Sequence, residues 1–155
     1  MQVTNDNQEA VTGADMIIFA VKPWLMKLVV KELKLRGTQI LISIAAGIPF
    51  EELTHYVADK EMTMFRLIPN TAISEMESMT LIASRNATKE QEQLMLDIFN
   101  QMGLAMLIPE EKIAATTAMT SCGIAYVLKY IQAAMQAGIE MGIYPKTACA
   151  WWHSP

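Results

Sequence analysis

The run from Ser121 to Gly142, SCGIAYVLKYIQAAMQAGIEMG, places the hardest condition on what this chain can fold into. As a helix it is roughly 33 Å long at about 1.5 Å per residue. Its polar positions are Lys129, Gln132, Gln136 and Glu140, which recur at helical spacing and form one narrow stripe. The rest is Ile, Ala, Tyr, Val, Leu and Met, with Gly138 and Gly142 near the end. A helix apolar almost all round has to be buried. Lys129, the glutamines and Glu140 interrupt it too often for a membrane span. The helical segment around it is too short to bury it, so a second chain or further sequence has to cover it. The plain reading is a core helix. Its small-residue opening, Thr120-Ser121-Cys122-Gly123, adds an anion site, because the first N–H groups of a helix lack partners.

Upstream the pattern is different. Met16 to Val21 is a short continuous apolar run, which predicts a strand buried on both faces of a parallel sheet. Lys22-Pro23 stops it, and Pro23 suits the first turn of a helix carrying Leu25, Leu28, Val29 and Leu33. Gly37 is expected to cap that helix. Gln39 to Ile44 predicts a second buried strand, and Ile48-Pro49 opens a helix through Leu53 and Tyr56. Met62 to Ile68 predicts a third strand. The order strand, helix, strand, helix, strand implies right-handed crossovers and a parallel sheet. Ser78 to Ser84 reads as a further strand, and Leu104 to Ile108 as an edge strand. Between them Thr88 and Gln91 form a capping box for a helix with Leu94, Met95, Ile98, Phe99 and Met102 on its apolar face, ended by Gly103. After Pro109 only helical patterns remain. The expected division is an α/β domain over residues 1–109 and an all-helical part over residues 110–155.

Composition excludes several classes of function. The chain has 155 residues, 52% hydrophobic and 18% charged, so it can build a core. The formal net charge is -4 with no Lys/Arg cluster, which argues against nucleic acid. Cys122 and Cys149 are too few for a disulfide scaffold or zinc site and suit a reducing cytoplasm. The polar start MQVTNDNQEAV is no signal peptide. His55 and His153 stand without metal-spaced partners, so no metal is expected. Trp151 and Trp152, followed by His153-Ser154-Pro155, need a partner to bury them.

In open parallel sheets, ligands bind at the carboxyl ends of the strands. Three successive strands here end in Ala20-Val21-Lys22-Pro23, Ala45-Ala46-Gly47 and Pro69-Asn70-Thr71. Small residues at two of these ends let a flat cofactor approach the backbone, and Asn70 offers a donor and an acceptor at the third. Gly47 and Pro69 also serve simply as turn residues. Lys22 could meet a phosphate, though a Lys beside a Pro is more often solvated. Arg66, inside an apolar strand, calls for a carboxylate partner and a structural role. Glu110-Glu111 reads as negative charge at a helix N-terminus. Cys122 reads as a small packing residue rather than a nucleophile.

These pieces, in order, resemble the pyrroline-5-carboxylate reductase family of proline biosynthesis. They are A-D-M-I-I-F-A-V-K-P (Ala14 to Pro23), I-S-I-A-A-G-I (Ile42 to Ile48), R-L-I-P-N-T (Arg66 to Thr71) and T-A-M-T-S-C-G-I-A-Y (Thr117 to Tyr126), followed by A-G-I-E-M-G-I (Ala137 to Ile143). The resemblance implies a Rossmann-type domain binding NADP or NAD, then a helical domain that dimerises by interleaving helices. The implied reaction is NAD(P)H-dependent reduction of 1-pyrroline-5-carboxylate to L-proline. It further implies that Asn7 lies near the adenosine ribose or its phosphate, and that Ala20, Val21, Lys22, Pro23, Ala45, Ala46, Gly47 and Asn70 line the cofactor. Thr120, Ser121, Cys122 and Gly123 would hold the substrate carboxylate through backbone N–H groups. No residue is assigned as proton donor.

The family's usual S-G-S-G-P-A-Y is replaced here by Thr120 to Tyr126, T-S-C-G-I-A-Y. The family also opens with a strand and a G-x-G-x-x-G turn and continues past Ala150 with more helices, so the sequence reads as an incomplete Rossmann-type sheet shortened at both ends. Two alternatives stand beside the reductase: a non-catalytic piece of the same fold that only self-associates, and another Rossmann-type NADP reductase.

Overall fold

The computed structural model describes residues 2–152, without the side chains of Trp151 and Trp152. The expectations for Trp151, Trp152 and His153 to Pro155 lie outside the described residues. Short α1 (Asn7–Val11) is capped by Asp6, whose carboxylate accepts from the N–H groups of Gln8 and Glu9. Then come β1 (Met16–Phe19), α2 (Pro23–Glu32), β2 (Ile40–Ser43), α3 (Phe50–Tyr56) and β3 (Met64–Ile68). The chain continues through β4 (Ser78–Arg85), α4 (Lys89–Phe99) and β5 (Gly103–Leu107). It ends in α5 (Ile113–Thr120), α6 (Cys122–Glu140) and α7 (Pro145–Trp152).

The five strands form one sheet in the order β1-β2-β3-β4-β5. Alternation along each strand sends side chains to opposite faces. Leu41 and Met64 join Met26 and Val30 of α2 and Phe50 and Leu53 of α3 on one face. Ile40, Ile42, Phe65 and Leu67 join Met95 and Phe99 of α4 on the other. The result is a Rossmann-like layered α/β unit with helices on both sides, followed by a helical region.

Several expectations need correction, though the parallel sheet expected of β1, β2 and β3 is present. β4 runs antiparallel to β3, and β5 parallel to β4. Residues 69–77 are too few for a crossover, which takes about a dozen or more, so the chain turns back on itself. β1 is buried on one face only: Ile17 and Phe19 are covered, while Met16 and Ile18 are exposed. It is an edge strand of the described sheet. Gly37 does not cap α2, which stops at Glu32 with Leu33 already extended. Gly37 instead leaves room for the Asp59 carboxylate, since a Cβ there would lie 2.2 Å from Oδ2. The capping box of Thr88 and Gln91 is present. Leu94, however, points to solvent, and a 3-10 turn over Asn100–Met102 follows the helix before Gly103 opens β5.

The apolar helix exists but is shorter than expected, Cys122–Glu140 rather than Ser121 to Gly142. Within this chain it is largely uncovered: Tyr126, Val127, Leu128 and Tyr130 are 60–70% exposed. The sequence requires burial that the chain itself does not supply. Among the described residues no helix is long and apolar enough to cross a membrane.

Candidate functional site

Because β1, β2 and β3 are parallel neighbours, their carboxyl ends lie along one edge of the sheet. Ala20 to Pro23, Ala45 to Gly47 and Asn70 therefore fall on that edge together. Asn7, at the start of α1, lines a hollow of about 250 Å³ that runs along β1 from Met16 to Ala20 and Val21, the first of these strand ends. Lys22 is exposed and makes no side-chain cap to α2, whose first residue is Pro23.

At the second strand end the Ala45 N–H donates to Ser43 Oγ at 3.3 Å, and Ala45 is buried. Ala46 and Gly47 face outward. Gly47 has φ +79, a conformation that L side chains rarely adopt, and no heavy atom lies within 4 Å of where its Cβ would be. Ala46, Gly47, Arg66, Glu110, Ala114 and Thr117 are among the residues around a cavity of about 330 Å³ between this turn and α5.

Arg66 has the carboxylate partner its strand position requires. Nη1 donates to Glu110 Oε1 at 2.5 Å, with the Arg66 side chain 7% exposed and Glu110 33%. The same Glu110 oxygen accepts the Phe50 N–H at 2.7 Å. The Phe50 ring centroid is 5.9 Å from the guanidinium carbon. Glu110 is thus more than charge at a helix start: it ties β3, the start of α3 and the segment leading into α5. The Arg66 Nε is buried without a partner.

Asn70 caps the 3-10 turn Thr71–Glu75, its Oδ1 accepting from the Ala72 N–H at 3.1 Å. Its Nδ2 donates to the Thr120 carbonyl at 3.1 Å. That bond brings the third strand end to the Thr120-Ser121-Cys122-Gly123 turn. Here α5 ends and α6 begins: the Ser121 N–H still donates to Thr117 O at 2.9 Å, and Ser121 is in a right-handed helical conformation. Ser121 Oγ is buried with no partner. Gly123 has nothing within 4 Å of its missing Cβ, so the first turn of α6 is open beside it. Cys122 is exposed, not packed as expected. Sequence reading missed Glu110 as the partner of Arg66, Ser78 and Thr80 of β4, whose hydroxyls meet each other and the Asn70 N–H, and Thr117 of α5, which lines the cavity beside Gly47. The only local signal was a charged residue and hydroxyls in apolar surroundings.

Known proteins share this layout. Residues 110–152 match the family model for pyrroline-5-carboxylate reductase dimerisation. Residues 1–47 match a model described as NADP oxidoreductase, coenzyme F420-dependent. Pyrroline-5-carboxylate reductase from Methanosarcina acetivorans is 34% identical over 96% of this chain and 56% of its own length. Pyrroline-5-carboxylate reductase 1 of Dictyostelium discoideum is 31% identical over 94% of this chain and 29% of its own. Along nearly its whole length the chain matches members of the pyrroline-5-carboxylate reductase family. The solved reductase from Streptococcus pyogenes superposes with a TM-score of 0.87 at 27% identity, covering 93% of this chain and 55% of that one. The Plasmodium falciparum enzyme, solved with NADP bound, gives 0.87 at 28% identity over 94% of this chain and 56% of its own. Most of the family members matched are about twice as long as this chain.

Proposed function

We propose that this chain takes part in the NAD(P)H-dependent reduction of 1-pyrroline-5-carboxylate to L-proline, as one copy in a homo-oligomer. The observation that carries the reading is the Asn70–Thr120 bond, which joins the strand ends suited to a flat cofactor to a helix start suited to a carboxylate. The residues present fit the nicotinamide half of the cofactor: the turn at Gly47 has open space where a side chain would stand. Ala20, Val21, Lys22, Pro23, Ala45, Ala46 and Gly47 would line it, with Asn7 at the ribose end and Asn70, whose side-chain amide is engaged by protein at both ends, beside it. Bound there, the cofactor would supply the hydride. Thr120, Ser121, Cys122 and Gly123 would hold the carboxylate by backbone N–H groups and the helix dipole. The protein's part would be to orient the two against each other. Residues 1–109 would form the cofactor unit and residues 110–155 the substrate and oligomer unit.

The exposed apolar side of α6 favours self-association as a second property, with or without turnover. Calorimetry of the chain with NADPH and NADH, with turnover of pyrroline-5-carboxylate followed by loss of reduced-nicotinamide absorbance, tests the reductase reading. Binding with turnover is the expected result. A folded, self-associated chain that binds neither cofactor would leave only the self-associating scaffold.

A further inference from the structure

We infer that Asn70 and Ser78 are positioning residues that set the carboxylate-holding turn between α5 and α6, rather than cofactor contacts. The inference deepens the proposed function and rests on it. Four observations carry it. Both ends of the Asn70 amide are engaged by protein, Oδ1 by the Ala72 N–H and Nδ2 by the Thr120 carbonyl. The Asn70 N–H is engaged too, donating to Ser78 Oγ at 3.2 Å. Ser78 Oγ lies 3.0 Å from Thr80 Oγ1. Ser78 and Thr80 are 1% and 0% exposed, so neither hydroxyl answers to solvent.

These contacts form one connected path. It starts at Thr80 inside β4, passes through Ser78 at the first residue of that strand, and crosses to the Asn70 backbone. It leaves through the Asn70 side chain to the last residue of α5. The path spans fifty positions of sequence between Asn70 and Thr120. A polar chain of this kind, buried at Ser78 and Thr80 and half-buried at Asn70, is stiff when every member is satisfied, because an unmade bond away from water is unfavourable. Its far end is a carbonyl directly before Ser121, whose Oγ is buried and unpartnered, and Gly123, which faces open space. Holding the Thr120 carbonyl fixes the direction in which the next N–H groups point. Those N–H groups are the ones proposed to meet the carboxylate.

The test uses the full chain and two variants. In Asn70→Ser the hydroxyl can still cap the Ala72 N–H but is too short to reach Thr120, and no charge is introduced. In Ser78→Ala the acceptor for the Asn70 N–H is lost. Two readouts are taken: binding of NADPH and of L-proline by calorimetry, and hydrogen exchange of residues 117–126 measured by mass spectrometry without ligand. The expected result is weaker proline binding by about tenfold in each variant, NADPH affinity changed less than about twofold, and several-fold faster exchange in residues 117–126 alone. Parallel loss of NADPH and proline would restore Asn70 to the cofactor and overturn the inference. Unchanged exchange, or faster exchange with unchanged proline binding, would overturn it as well. A wild-type chain that binds neither probe would refute the proposed function itself, while the exchange experiment still decides whether the path holds the turn.

Discussion

Removing the Glu110 carboxylate should destabilise this chain far more than a surface ion pair would. In Glu110→Ala the Arg66 guanidinium stays inside a strand, 7% exposed, without the one charged partner it has among the described residues. Two unit charges about 4 Å apart attract by about 4 kcal/mol at an effective dielectric of about 20. Breaking a fully buried pair by removing one partner typically costs about 3–5 kcal/mol. Glu110 is 33% exposed, so water already screens one side and the lower end applies. The Phe50 N–H also loses its acceptor, which adds about 1 kcal/mol. The Phe50 ring lies near the guanidinium in both proteins, so that contact does not enter the difference. The net expectation is a loss of about 4 kcal/mol, or roughly 12 °C in Tm for a chain of this size. Urea unfolding at one fixed protein concentration measures it, since association shifts apparent stability. The double variant Glu110→Ala with Arg66→Met removes the stranded charge and should recover about 2 kcal/mol of the loss. A single variant within about 0.5 kcal/mol of wild type, or a double variant whose effects simply add, would refute the claim that the pair holds β3 to the start of the helical region.

Other outcomes follow from particular positions. Gly103→Ala would place a Cβ 2.2 Å from the Ser78 carbonyl oxygen and 2.4 Å from its nitrogen, at φ +131, so a loss of about 3 kcal/mol or more is expected by thermal unfolding. Gly123→Ala meets nothing within 4 Å and should leave stability unchanged or slightly higher, while weakening carboxylate binding; unchanged proline affinity would remove the anion site. The Lys89 ammonium, then the Ser84 hydroxyl, hold the Glu92 carboxyl below its ordinary range. Its contribution is therefore present above the unfolded value of about 4.3 and lost as pH falls through the lower folded value. Glu92→Gln should then melt below wild type near neutral pH and converge with it in acid. Leu128→Glu, on the exposed side of α6, should shift sedimentation toward monomer with little change in the circular dichroism of the α/β unit.

The elements that sequence reading located are those whose signal is local. Continuous apolar runs marked β1 to β3, and Thr88 with Gln91 marked the start of α4 because the capping box is a contact over three residues. What escaped were partners and directions. Glu110 lies 44 positions from Arg66, and from its own neighbours it looked like a charge at a helix start. Ser78 looked like any strand residue because its acceptor role depends on the turn at Asn70 folding back. The antiparallel step between β3 and β4 was missed for a related reason: strand runs carry no direction, and only the short link between them sets it. Gly37 was misread because two causes leave the same residue at a site, and here close approach of Asp59 replaced the helix cap.

The clearest case is α6, where the sequence pattern sets a requirement and is silent about what meets it. Period and polarity state that Tyr126, Val127, Leu128 and Tyr130 must leave water; they do not state which surface receives them. In this chain those four side chains remain exposed while Gly138, where α7 packs through Ala148, is buried. The helix is therefore held at its carboxyl end by its own chain and left open toward its amino end, next to the turn proposed to bind the carboxylate. Burial of that open part by a second copy would remove water from around Thr120 to Gly123. Backbone N–H groups attract an anion more strongly in such an environment. Self-association and ligand affinity should then rise together: proline binding measured across a dilution series should weaken as the chain dissociates. Affinity independent of protein concentration would separate the two and confine the exposed face of α6 to assembly alone.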